Sequence, residues 1–83
     1  MAQPAALNQR ECRLLKMIGA NIVYYRKQLG LTQEKMAERA DISRVHLARV
    51  ETGVGAASLP LLFTISETLD VPLKALFDFP EED

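Results

Sequence analysis

The sequence predicts an all-α fold of five helices in a single domain. Three observations carry this expectation. Apolar residues recur at three- and four-residue steps, no stretch alternates apolar and polar as a strand would, and capping residues stand at the breaks. Eighty-three residues suit one domain. At 48% apolar and 25% charged, the composition is that of an ordinary globule. No run approaches the ~18 apolar residues of a membrane span, and no signal-peptide pattern appears, so a soluble cytoplasmic chain is expected. The expected divisions are a flexible segment over residues 1–9, a helical domain over 10–79 and an acidic tail over 80–83.

The first helix begins near Asn8, where Leu15, Ile18, Ile22, Tyr25 and Leu29 form one apolar stripe. Gly30 follows the stripe at the position that favours a left-handed cap. Thr32 offers an N-cap oxygen to a short second helix from Gln33 to about Ala40, with Met36, Ala37 and Ala40 inward. Ser43 caps a third helix from Arg44 to about Glu51, closed by Gly53. Leu47 and Val50 point inward there, leaving Arg44, Val45, Ala48 and Arg49 largely on the opposite side. Ser58 caps a fourth helix striped by Leu59, Leu62, Ile65 and Leu69, with Phe63 beside it. Pro60 is harmless in its first turn. Val71 and Pro72 end that helix, and Leu73 to about Asp78 reads as a fifth.

Helices two and three are joined only by Ala40, Asp41 and Ile42, too little chain for a loop. So tight a pair holds one helix outward, as in a helix-turn-helix. Its packing needs a small residue where the helices cross, and Ala37 stands there. The turn needs a residue that tolerates positive φ; Asp41 is one of the few non-glycine types that do. Apolar glue is needed at four further positions, filled by Met36, Ile42, Leu47 and Val50.

The stretch "RKQLGLTQEKMAERADISRVHLARVETG", followed by "SLPLLFTISETLDVPLKALF", resembles the phage-repressor and Cro-like (XRE-type) helix-turn-helix family. The likeness runs from about Ile18 to Phe77. It implies a lambda-repressor-like five-helix fold, binding to double-stranded operator DNA, and a homodimer on a palindromic site. Carried over residue by residue, it implies base contacts from Arg44, Val45 and Arg49. The arginine fork matches guanine O6 and N7, and valine suits a thymine methyl. Gln33 stands at the family's phosphate-clamping position, with Thr32 and Thr52 as secondary phosphate contacts. His46 is either a phosphate contact or a half-buried packing residue. Arg26 and Glu51 correspond to a semi-buried ion pair tying the first helix to the end of the third, though Arg26 could also touch a phosphate. Leu73, Leu76, Phe77 and Phe79 offer more apolar groups than a terminal helix needs, and form a candidate dimer surface. One departure stands out. The loop "VGAAS" lacks the basic residues and proline that the family often places there.

Net charge is −1, yet the charges are segregated. Nine basic and five acidic residues between Arg10 and Gly53 give +4, while one against six from Val54 to Asp83 gives −5. A basic half suits a nucleic-acid partner, with Arg10, Arg13 and Lys16 as further cations whose direction the sequence leaves open. Chemistry is not expected. One cysteine and one histidine exclude a four-ligand Cys/His zinc site, Cys12 reads as inert packing, and no phosphate loop, cofactor motif or small-molecule site is evident. The leading reading is a DNA-binding transcriptional regulator, most simply a repressor. The alternative is a protein-interaction module of the same fold, such as an antitoxin subunit or adaptor with little DNA affinity.

Overall fold

The computed structural model describes residues 7–55 and 57–80. Among the described residues four α-helices follow one another: α1 (Gln9–Gln28), α2 (Gln33–Ala40), α3 (Arg44–Thr52) and α4 (Leu59–Thr68). The expected fifth helix is instead a single 3-10 turn, Leu73–Phe77. Behind Pro72 the short segment is tightened by bonds between residues three apart, the Ala75 N–H donating to the Pro72 carbonyl at 2.9 Å and the Asp78 N–H to that of Ala75 at 3.4 Å. Among the described residues there is no strand, and no helix is long and apolar enough to cross a membrane. Helix α1 starts at Gln9, so the last residue of the expected N-terminal segment is helical. Residues 1–6 of that segment and 81–83 of the expected tail lie outside the described residues.

Each helix is bounded by the same two devices. At the start, the side chains of Asn8, Thr32, Ser43 and Ser58 accept from backbone N–H groups of the first turn. Asn8 and Glu11 complete a reciprocal capping box. At the end, a left-handed residue reverses the chain: Gly30, Asp41, Gly53 and Asp70, with φ between 58° and 75°. The following residue then donates its N–H back to a carbonyl of the last turn, for example Ile42 to Ala37 at 3.0 Å and Val54 to Arg49 at 2.9 Å.

The core gathers one face from every element. Ile18 and Ile22 of α1, Met36 and Ala37 of α2, Leu47 and Val50 of α3, Leu62 and Ile65 of α4, and Leu76 of the 3-10 turn are all buried. The stripes are therefore as expected, except at three ends. Leu15 is only half-buried and does not join the core cluster. Leu29 is exposed because it is the α1 C-cap, where the chain has already left the helix. Leu59 is exposed because it opens α4 at the margin of the buried stripe.

Candidate nucleic-acid interface

Helix α3 is set by three contacts that together leave it little freedom. The first is the three-residue joint to α2, Asp41 to Ser43. Asp41 takes φ 58°, as the turn requires, and Ser43 caps α3 directly after Ile42. The second is the crossing with α1 at Gly19. A Cβ on that glycine would meet the Glu51 carbonyl oxygen and lie 2.7 Å from the Val50 carbonyl oxygen, so only a bare Cα permits the approach.

The third contact is polar. The Arg26 guanidinium donates through Nε to Glu51 Oε2 at 2.7 Å and through Nη2 to Oε1 at 3.2 Å. Its Nη1 reaches the Leu31 carbonyl at 2.9 Å. Gln33 adds a donor from its Nε2 to Glu51 Oε1 at 2.8 Å. The side chains of Arg26 and Glu51 are only 11% and 3% exposed, so the pair is shielded from water and from salt. One carboxylate thus gathers α1, the start of α2 and the last turn of α3. The Gln33 bond has no separate signature in the sequence. Gly19 does have one, because glycine inside a helical stripe is costly unless something packs against it.

With Leu47, Val50 and Glu51 inward, the other face of α3 is open. Arg44, Val45, His46, Arg49 and Thr52 are all exposed, Val45 at 59%. His46 is therefore not a packing residue. The Thr52 hydroxyl donates to its own helix, at 3.0 Å from the Ala48 carbonyl and 3.2 Å from that of Arg49, so its proton is already used. Thr32 is exposed at the start of α2, where its oxygen accepts from the Lys35 N–H and its proton stays available. Gln33 is half-buried and gives one of its two amide protons to Glu51.

The proposed dimer residues divide differently from expectation. Leu76 is fully buried in the monomer core and cannot face a second copy. Its carbonyl accepts from Asn21 Nδ2 at 3.0 Å, a bond that, with a longer one to the Asp78 carbonyl, ties the 3-10 turn to α1. Leu73 and Phe79 are half-buried against the core, and Phe77 is exposed. On α4, Leu59 and Phe63 are exposed one helical turn apart.

A helix-turn-helix family model (HTH_3) matches residues 22–76. The chain is 38% identical over 63 residues to the HTH-type transcriptional regulator SlrR of Bacillus subtilis, covering 75% of this chain and 41% of SlrR. It is 33% identical over 67 residues to the regulator SinR of the same organism, covering 80% of this chain and 60% of SinR. The chain thus spans between two-fifths and three-fifths of these relatives. Among solved structures, SinR in complex with DNA superposes with a TM-score of 0.70 at 32% identity, over 74% of this chain and 98% of that one. The restriction-modification controller protein C.AhdI from Aeromonas hydrophila gives 0.74 at 28% identity, over 76% and 96%. With a match that runs from the middle of α1 into the 3-10 turn and takes in both helices of the tight pair, the chain belongs to the helix-turn-helix family.

Proposed function

We propose that this protein is a sequence-specific DNA-binding transcriptional regulator, a repressor that occupies a palindromic operator as a homodimer. The observation that carries this reading is the outward face of α3. Arg44, Val45 and Arg49 stand exposed on a helix whose far side is fixed by Gly19 and by the Arg26–Glu51–Gln33 cluster. A helix of nine residues fits the major groove, and its arginines carry the donor fork that reads guanine. That its relative SinR is solved in complex with DNA supports DNA as the partner.

Phosphates are gripped at the start of α2. Gln33 retains one amide N–H and Thr32 its hydroxyl proton, beside first-turn N–H groups that have no partner within the helix. His46 is a further phosphate contact, and Thr52 drops out because its proton is spent within α3. A second copy meets this one through exposed apolar groups, Phe77 among the residues expected from sequence, joined by Leu59 and Phe63 of α4. Two-fold pairing sets the recognition helices one helical turn of DNA apart, about 34 Å.

Selection of bound sites from random duplex DNA tests the reading. Arg44→Ala and Arg49→Ala should each cost about 1–3 kcal/mol and relax preference at one or two base pairs. Gln33→Ala should weaken all sequences alike. Uniform loss from all three substitutions contradicts the assignments. Sedimentation of the complex should show two chains per site, and a single chain on a full site contradicts the dimer.

A further inference from the structure

We infer that Lys16, on α1, is a DNA-phosphate contact at the far end of the recognition helix, standing in for the uncharged loop that follows α3. The inference rests on the DNA-binding reading above. It begins with a deficit: Val54, Gly55, Ala57 and Ser58 carry no charge, and beyond them the chain turns acidic. A groove-bound helix is flanked by backbone phosphates, and here one flank has no cation of its own. The Glu51 carboxylate at that end is already paired with Arg26, so it neither helps nor opposes.

The fold brings a cation to this place from elsewhere. Gly53, the left-handed residue that ends α3, lies against Lys16. A Cβ there would stand 2.8 Å from the Lys16 backbone nitrogen and Cγ, and 2.9 Å from its Cα. The glycine therefore serves twice, taking φ 75° and leaving room for a neighbouring helix. The start of the lysine stem is seated on the turn while the residue as a whole is exposed, so the end of α3 is within reach of its flexible, solvated head. The negative end of the α3 dipole favours a cation at this spot before DNA arrives. Lys16 lies outside the matched residues 22–76, so membership of the family does not by itself assign it a role.

A phosphate contact has a signature that packing lacks. Each one neutralised steepens the fall of log affinity with log salt by about 0.9. Titration of the wild-type chain on a selected duplex and on an unrelated duplex, between 50 and 200 mM salt, provides the reference. Lys16→Gln should flatten the slope by about 0.9 on both, so that wild type loses about 3.5-fold more affinity than the variant across that range. The base preferences should not change. Lys16→Arg should keep the wild-type slope, and Val54→Lys added to Lys16→Gln should restore it. A steep wild-type slope that Lys16→Gln leaves unaltered overturns the inference and spares the DNA-binding reading. Equal slopes for the Gln and Arg variants overturn it as well, assigning the residue to packing. Salt-insensitive or absent binding by the wild type overturns the DNA-binding reading itself.

Discussion

The three N-terminal helices and the α4–3-10 segment share one core but are held by different physics. In the first, a carboxylate at 3% exposure is surrounded by donors from two other elements, and a helix crossing is so close that a methyl group would not fit. In the second, the attachment is mostly apolar: Leu62, Ile65, Leu69 and Leu76 are buried, with the Asn21 side chain closing the end. Apolar contact is tolerant of small shifts, whereas a hydrogen-bonded buried ion pair is satisfied in one geometry. The stringent half is the half that aims the arginines. The tolerant half keeps Leu59, Phe63 and Phe77 exposed and carries the acidic charge.

The largest way to break this contrast is to strand one charge of the ion pair. Arg26→Ala or Glu51→Ala should cost about 3–5 kcal/mol, because the remaining group is left buried and unpaired. An exposed pair would cost about 0–1 kcal/mol. Urea unfolding measures the loss, and the double variant should lose less than the two singles combined. Values near those of an exposed pair mean that the polar cluster does not orient α3.

Next in size is the crossing at Gly19. Glycine to alanine inside a helix ordinarily stabilises by about 0.5–1 kcal/mol. Here the sign should invert, with a loss of about 1–3 kcal/mol, because the new Cβ meets the carbonyls of Val50 and Glu51. Ala20, exposed on the same helix, supplies the control: Ala20→Gly should cost about 1 kcal/mol through propensity alone. Thermal melting of the two variants decides it. A stabilised Gly19→Ala chain would show that α1 and α3 have room to part.

The tolerant half has its own test. Asn21→Ala leaves the carbonyls of Leu76 and Asp78 without their side-chain donor, which should cost about 1 kcal/mol at this half-buried site. The loss should be local. Hydrogen exchange should quicken at Ala75 and Asp78, which close the 3-10 turn, and not in α3. Equal quickening in both would mean that the two halves open as one.

How much of this was legible in the sequence follows from the range of each interaction. Caps and stops act within five residues, so Thr32, Ser43, Asp41 and Gly53 could be read directly, and with them the tight pair. The outward face of α3 followed from helical period alone. The fifth element failed because apolar spacing does not separate a 3-10 turn from a short α-helix. Leu76 was placed on the surface for a related reason: a pattern shows that a side chain is apolar, not whether its own core has room for it. The bonds from Gln33 to Glu51 and from Asn21 to Leu76 span 18 and 55 residues, and no local signal encodes such partners.

The smallest prediction is the one in which the two halves should agree. Asp41 ends α2 and Asp70 ends α4, each exposed and each at φ 58°. Left-handed backbone costs an L residue about 1–2 kcal/mol, less for aspartate, while glycine escapes this but loses more chain entropy on folding. The balance should favour Asp41→Gly and Asp70→Gly by about 0.5 kcal/mol each, read as small additive gains in unfolding midpoint. Both stops have the same hydrogen-bond form, with Ile42 donating to Ala37 and Val71 to Ser66 at 3.0 Å. Nothing in that geometry distinguishes the stringent half from the tolerant one. A gain at Asp70 with a loss at Asp41 would therefore mean that the joint between α2 and α3 depends on its aspartate for something other than φ, and that the polar precision of that half extends into its turn.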